Sequence, residues 1–361
     1  MSRLAATWVL GTVILLSGCA NDIGVAAMRY GIEDAPEGKR LLWPQPPEVP
    51  RYMFAGQLTG EANFVRPDSG ESRVGDFLRW IAGVVSGDAQ PVVLQRPQSG
   101  VVDAAGRVLV TDVSRQAVFV FDEQAGKLLV WERAEERRGF VAPSGIALAP
   151  EGGVWVADAQ LALIAHLDKD GNPLPAIGKG VLKRPTGVAW DADGRRLFVA
   201  DAYAHEVKVF DAAGKLIDTI GRRGDAPGEF NFPTHLALSG DDLYVTDTMN
   251  SRVQVISLTG GEMRVIGERG LYIGNMVRPK GVAVDSEGNV YVVESYYDNL
   301  LVFNRKGEFL MPIGGLGLGT GKFYLPAGVW IDSRNRVFIA DMFNGRVTVF
   351  QFLGGGAESE G

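Results

Sequence analysis

A proline-led unit that recurs six times constrains this chain more than any other feature of its sequence. Each copy starts at a proline and runs through an apolar stretch and a turn. A second apolar stretch then ends in Asp or Glu, as in residues 279–294 and 326–341. The prolines, spaced 42 to 48 residues apart, are Pro97, Pro143, Pro185, Pro233, Pro279 and Pro326. Such a period is typical of arrays built from one supersecondary unit.

The repeated unit predicts β-structure, because short apolar stretches bounded by Gly, Pro, Asn and Asp are typical of strands. A third strand follows each pair, and a fourth follows the trio, as at residues 216–221 and 309–314. Four antiparallel strands form one blade, which cannot bury both of its faces alone. Blades therefore stack around an axis. We predict an all-β, six-bladed β-propeller over residues 51–352.

Two copies carry a complete Asp-x-x-Asn-x-Arg turn, at residues 247–252 and 341–346. The third copy has Ala204 and Glu206 at the Asn and Arg positions. These turns, together with the register kept over residues 95–352, resemble the NHL-repeat family. The resemblance implies a six-bladed NHL-type propeller.

The ring needs a closing strand, because the sixth blade shows only three strands before the glycine-rich tail at 353–361. Residues 52–64 resemble the fourth-strand segment at 218–232. We therefore predict that an N-terminal strand near residues 51–56 completes the last blade. Such a strand removes an exposed sheet edge and ties the two chain ends together.

The N-terminus has the features of a bacterial lipoprotein. Arg3 precedes an apolar run, Leu4 to Leu16, that is too short to span a bilayer comfortably. The following Leu16-Ser17-Gly18-Cys19 resembles the lipobox, which implies a signal peptide at 1–18 and a lipidated Cys19. Ala20 favours sorting to the outer membrane of the cell envelope. The proline-rich remainder of 19–50 predicts an extended tether.

Residues 65–94 do not fit the repeat. Apolar side chains recur at helical spacing from Ser72 to Val85, which predicts a short amphipathic helix inserted on one side of the propeller. Such a helix either packs on the propeller or docks a partner.

The acids that end the second strands could have either of two roles. A ring of carboxylates could hold a cation, but acids at a repeated turn position also accept backbone N–H groups and pair with arginine. The repeat favours this structural role. The six acids are Asp112, Asp158, Asp201, Asp247, Glu294 and Asp341.

Equivalent positions two residues beyond the acids predict a surface patch on one face. They hold Ser114, Gln160, Tyr203, Met249, Tyr296 and Phe343. Four consecutive blades thus present an aromatic side chain or Met where turns are normally polar. The patch either binds a partner or is covered by residues 65–94.

The three histidines raise an enzymatic alternative. His235 lies at the start of an inner strand, where four of the other five repeats have Gly, and is predicted to face the channel. His166 falls in a third strand and His205 in a turn, so the repeat does not bring the three together. We predict no metal site and no cofactor. The alternative is a metal-assisted lyase or hydrolase at the propeller mouth, similar to peptidyl-hydroxyglycine lyase, with Tyr203 or Tyr296 as acid or base.

Charge and the missing catalytic motifs favour a binding role. The chain carries a net charge of −7 and has no Lys/Arg cluster, which argues against nucleic acid and against adhesion to anionic lipid. Membrane contact is thus expected through the lipid alone. The sequence predicts an envelope-anchored interaction module that binds a protein, peptide or glycan through Tyr203, Met249, Tyr296, Phe343 and His235.

Overall fold

The computed structural model describes residues 26–30, 41–65 and 91–354. Cys19, the segment at Ser72–Val85 that predicts a helix, and tail residues 355–361 lie outside the described residues. Within the described ranges, no helix is long and apolar enough to cross a membrane. The helical structure described consists of four 3-10 turns: Glu61–Asn63, Pro150–Gly152, Thr248–Asn250 and Met342–Asn344.

The N-terminal part and the first three blades contain the following strands. The N-terminal strands are β1 (Ala27–Met28), β2 (Leu42–Trp43), β3 (Tyr52–Leu58) and β4 (Phe64–Val65). Blade 1 has β5 (Pro97–Val102), β6 (Val108–Asp112), β7 (Ala117–Asp122) and β8 (Lys127–Trp131), followed by a hairpin of β9 (Arg133–Glu135) and β10 (Arg138–Gly139). Blade 2 has β11 (Pro143–Leu148), β12 (Val154–Asp158), β13 (Leu163–Leu167) and β14 (Pro173–Ile177). Blade 3 has β15 (Pro185–Asp191), β16 (Arg196–Asp201), β17 (Glu206–Asp211) and β18 (Leu216–Ile220).

The last three blades repeat the pattern. Blade 4 has β19 (Pro233–Ser239), β20 (Asp242–Asp247), β21 (Arg252–Ser257) and β22 (Arg264–Ile266). Blade 5 has β23 (Pro279–Val284), β24 (Val290–Glu294), β25 (Asn299–Phe303) and β26 (Phe309–Gly314). Blade 6 has β27 (Val329–Ile331), β28 (Arg336–Asp341) and β29 (Arg346–Phe352).

The six innermost strands form a closed ring. Five of them begin at a repeat proline, and the last begins three residues after Pro326. Neighbouring inner strands contact one another in the cyclic order β5, β11, β15, β19, β23, β27 and back to β5. The predicted all-β, six-bladed propeller is therefore confirmed.

The core lies between the blades because side chains alternate along each strand. In β28, Val337 and Ile339 pack against blade 5, whereas Phe338 and Ala340 pack against blade 1. Each blade therefore contributes to two apolar layers. No blade could bury both of these faces without its neighbours.

The last blade is closed by the N-terminal strand. β3 pairs antiparallel with β29, which confirms the prediction of a closing strand and extends it to Leu58. Within residues 19–50, for which the sequence predicts an extended tether, the structure shows a segment that packs on the propeller. β2 adds a fifth strand to the blade, and the ring of Trp43 packs edge-on against Phe350 at 5.0 Å. The apolar Leu42–Trp43 pair therefore packs against the last blade, which the prediction of a tether does not anticipate.

A second N-terminal segment also packs on the propeller. β1 pairs with β4, and Tyr30 packs against the apolar layer between blades 6 and 1. A Cβ at Gly56, whose φ is +131°, would collide with the Cβ and carbonyl oxygen of Tyr30. A glycine at this position therefore lets the two chain segments approach closely.

Candidate functional site

All six turns between second and third strands lie at one end of the propeller, which we call the turn face. The turns comprise residues 113–116, 159–162, 202–205, 248–251, 295–298 and 342–345. Because strands alternate in direction, the connection from each fourth strand to the next blade reaches the same end. The turn face is thus built from two kinds of loop per blade.

The six strand-ending acids hold the loops of the turn face in place. All six are fully buried. Asp112 is typical: one carboxylate oxygen accepts the N–H groups of Gln95 and Arg96 at 2.6 and 2.9 Å, and the other accepts those of Ser114 and Arg115 at 3.0 and 2.9 Å. These bonds occupy the carboxylate within the protein and confirm the structural reading.

The two complete Asp-x-x-Asn-x-Arg turns use their acids differently. Asp341 accepts hydrogen bonds from Arg346 Nε at 2.8 Å, from Asn344 Nδ2 at 2.7 Å and from the N–H of Tyr324 at 2.8 Å. Asp247 binds Arg252, Asn250 and the N–H of Asn231 in the same way.

In these two blades, a side chain of the preceding blade accepts the second N–H group. Asp298 Oδ1 accepts the N–H of Leu325 at 2.5 Å, and His205 Nδ1 accepts that of Phe232 at 3.2 Å. Our sequence reading missed this role. The feature that points to this role is that His205 and Asp298 hold equivalent positions in their turns. Both have a left-handed backbone conformation, with φ of 60° and 55°.

The predicted patch residues are exposed on the turn face of blades 3 to 6. Tyr203, Met249, Tyr296 and Phe343 expose 56%, 51%, 55% and 48% of their surface. Tyr203 packs edge-on against Phe232 at 5.9 Å. Phe343 contacts Tyr324, with ring centres 5.3 Å apart.

Two neighbouring loops extend this apolar surface. Leu271, Tyr272 and Ile273, between blades 4 and 5, are 81%, 84% and 73% exposed. Leu316 and Leu318, between blades 5 and 6, are 68% and 75% exposed. Arg269 connects the first loop to the patch, because its Nη2 donates to the carbonyl of Met249 at 2.6 Å.

The equivalent connections between blades differ in sequence in a way that marks these loops as apolar. Our sequence analysis did not single them out. Three connections share one shape, marked by parallel bridges between Arg223 and Phe230, Arg269 and Met276, and Leu316 and Phe323. The first has the charged tip Gly-Asp-Ala-Pro-Gly-Glu. The equivalent tip at 270–275 reads Gly-Leu-Tyr-Ile-Gly-Asn and has no charge.

The inner strands enclose a channel cavity of about 420 Å³. His235 lines it, as do residues from all six inner strands. Its Nδ1 lies 3.1 Å from Thr234 Oγ1. Burial, assisted by the positive charge of Lys280, lowers the pKa of His235 to about 3. The imidazole is therefore neutral at physiological pH and only weakly basic.

The other two histidines lie in different settings. The ring of His166 stacks on Trp155 with centres 3.9 Å apart. Burial lowers the pKa of both His166 and His205. Across ranges 26–30, 41–65 and 91–354, no group of three or more His, Cys, Asp and Glu side chains is placed to hold a metal.

Sequence comparisons connect the chain to propeller proteins. A family model described as a 6-bladed beta-propeller matches residues 183–272 and 278–360. NHL repeat-containing protein 2 of Bos taurus is 32% identical over 34% of this chain and 22% of its own length. The chain therefore spans about a fifth of this curated relative.

Solved structures add evidence for the fold alone. A streptogramin B lyase structure superposes with a TM-score of 0.52 and 14% identity, covering 72% of this chain and 94% of the other. An auxiliary nutrient binding protein from Bacteroides thetaiotaomicron gives 0.57 and 12%, covering 72% and 69%. Taken with the six stacked sheets, these matches show that the chain is a six-bladed β-propeller with homologues among the NHL-repeat proteins.

Proposed function

We propose that this chain is an interaction module that binds a partner through the turn face of blades 3 to 6. The observation that carries the proposal is the exposed apolar surface formed by the patch residues and the two loops. Soluble proteins rarely leave contiguous apolar patches uncovered unless something binds there.

The composition of the surface favours a protein or peptide over a glycan. Leu271, Ile273, Leu316 and Leu318 are aliphatic and offer no hydrogen bonds to sugar hydroxyls. Tyr203, Tyr296 and Phe343 supply the aromatic anchors in which protein interfaces are enriched. NHL-repeat homologues and a propeller fold agree with an interaction role.

We further propose that Cys19 is lipidated and holds the module at the cell envelope. The first described residue, Ala26, follows Cys19 by seven positions in the sequence. A fully extended chain spans at most about 3.6 Å per residue, so these seven steps cover roughly 25 Å. The lipid would therefore keep the propeller close to the membrane.

The anchor is tested by Cys19→Ala. Palmitate labelling and membrane fractionation in the native host should show labelled, membrane-bound wild type and an unlabelled variant released from the membrane. Labelling that persists in the variant would overturn the proposal.

The binding surface is tested by crosslinked capture from native membranes with the full-length protein. Tyr203→Ala combined with Tyr296→Ala, or Leu271→Ser combined with Ile273→Ser, should reduce the yield of a specific partner at least tenfold. The control pair is Ile217→Ser with Leu310→Ser, which removes side chains 48% and 47% exposed on outer strands. Equal capture by folded face and control variants would contradict the proposal.

The lyase or hydrolase alternative centres on His235. A histidine with a pKa of about 3 is a poor proton acceptor near neutral pH, because general bases work best when their pKa lies near the operating pH. Zinc or calcium bound stoichiometrically to the purified protein, and lost in His235→Ala, would restore this alternative.

A further inference from the structure

A lysine that has no polar partner among the described residues lies at the turn-face end of an inner strand. Lys280 is the second residue of β23 and is partly buried. No hydrogen bond or ion pair joins its ammonium group to a residue in ranges 26–30, 41–65 and 91–354. Other cations with buried side chains are paired: Arg252 with Asp247, Arg346 with Asp341 and Lys208 with Glu206.

The charged groups that act on the pKa of Lys280 are positive. Burial lowers its pKa first, and the guanidinium groups of Arg278 and Arg96 lower it further. Arg278 and Arg96 each precede the proline of an inner strand, in blades 5 and 1. Arg184 holds the same position in blade 3 and lies over the ring of Tyr203, 5.0 Å from its centre. None of these three forms an ion pair within the described part of the chain.

The neighbouring carboxylates do not compensate for this charge. The acid of the same blade, Glu294, accepts the N–H groups of Val277, Arg278 and Tyr296. Its pKa is raised by burial, although Arg278 opposes that effect. His235, on the adjacent inner strand, is neutral.

The remaining positions around the mouth are polar or small. The residues equivalent to Lys280 in the other inner strands are Gln98, Ser144, Thr186, Thr234 and Ala327. The hydroxyls of Ser144 and Thr186 donate to the carbonyls of Ala157 and Ala200 in their own blades. An isolated ammonium in such a place is costly unless an anion joins it.

We infer that the channel mouth on the turn face is a binding site for a carboxylate. Lys280 would meet the carboxylate, and Arg278 and Arg96 would attract it from the rim. The apolar part of the ligand would rest on Phe343 and Tyr296. The inference deepens the proposed function, because it names the chemistry of the ligand at the same face.

The test uses calorimetric titration of the full-length protein in detergent with benzoate and with benzamide, its uncharged analogue. Benzoate should bind at least tenfold more tightly than benzamide at pH 7. Lys280→Gln should remove this preference, and Lys280→Arg should retain most of it. Glutamine already occupies the equivalent position 98, so this variant is expected to fold. Lys208→Gln is the control, because that lysine is partly buried but paired.

Equal affinity for benzoate and benzamide, or unchanged benzoate binding in Lys280→Gln, would overturn the inference. A peptide with a free C-terminal carboxylate, compared with its amidated form, identifies the source of the group. A preference for the free peptide indicates a protein terminus, whereas benzoate binding without peptide binding indicates a small organic acid. Both results support the site.

The two proposals fail separately. If the protein does not bind benzoate but still captures a partner, the carboxylate site is contradicted and the interaction role is not. If the protein binds benzoate but the turn face captures no partner, the carboxylate site is supported and the interaction role is contradicted.

Discussion

The hydroxyl of Tyr52 lies 3.0 Å from that of Tyr291, which donates a hydrogen bond to Asp285 Oδ2 at 2.8 Å. Tyr52 belongs to the closing strand of blade 6, and Tyr291 belongs to blade 5. Both side chains are almost completely buried. Burial raises the pKa of both phenols, so both stay protonated and can donate. A polar chain thus connects the N-terminal strand to a neighbouring blade through an apolar layer.

Removing either hydroxyl should loosen this connection by different amounts. Tyr52→Phe loses one buried hydrogen bond and should lower the free energy of unfolding by about 1 kcal/mol. Tyr291→Phe leaves Tyr52 without an acceptor and should cost about 2–3 kcal/mol. Urea denaturation measures both. Tyr272→Phe, on an 84% exposed side chain, should change nothing; equal effects of all three would refute the network.

The inner strands approach each other so closely at Gly187 that we expect a larger residue there to destabilise the protein. A Cβ at this position would lie 2.7 Å from the Thr234 carbonyl oxygen and 2.8 Å from the His235 Cα. Gly187→Ala must push two inner strands apart and should destabilise the protein by about 1–3 kcal/mol. Gly319→Ala is the matched control, because no atom lies within 4 Å of a Cβ there. Thermal unfolding should separate the two variants by several degrees, and matching melting temperatures would contradict this view of the ring.

The lowered pKa of His235 predicts acid sensitivity. The unfolded chain binds the proton near pH 6.5, whereas the folded chain resists it until about pH 3. Stability should therefore fall as pH drops through this window, by on the order of 4 kcal/mol at its lower end. His235→Ser copies the residue at the equivalent position of blade 1, Ser99, and should flatten the decline. Denaturant midpoints measured from pH 7 to 4 test this, and parallel profiles of the two proteins would exclude His235 as the cause.

The buried pair of Asp341 and Arg346 predicts a large loss when only the cation is removed. Arg346 Nη2 also donates to the carbonyls of Gly319 and Lys322 at 2.9 Å. Arg346→Gln leaves a fully buried carboxylate without its counter-charge and should cost about 3–5 kcal/mol. Chemical denaturation gives the value, and the exposed Arg334→Gln is the reference. A loss below 1 kcal/mol would show that the carboxylate does not need the arginine.

The proposed binding surface was only partly predictable from the sequence. Repeat symmetry placed Tyr203, Met249, Tyr296 and Phe343 on one face, because equivalent positions in stacked blades must point the same way. The loop residues Leu271 and Leu318 escaped prediction, because their connections lie outside the repeated strands. Only the ring geometry brings those loops to the face that carries the patch.

The sequence by itself determined the number of blades, the strands of each blade, the strand that closes the ring and the structural role of the repeated acids. These features depend on periodic patterns and turns that operate over a few dozen residues, so they can be recognised locally. Only the tertiary structure decided which distant residues meet. Trp43 packs against Phe350, Tyr52 forms a hydrogen bond with Tyr291, and the charge of Arg96 lowers the pKa of Lys280. Ring closure creates these pairs, since it brings together side chains that no local pattern relates.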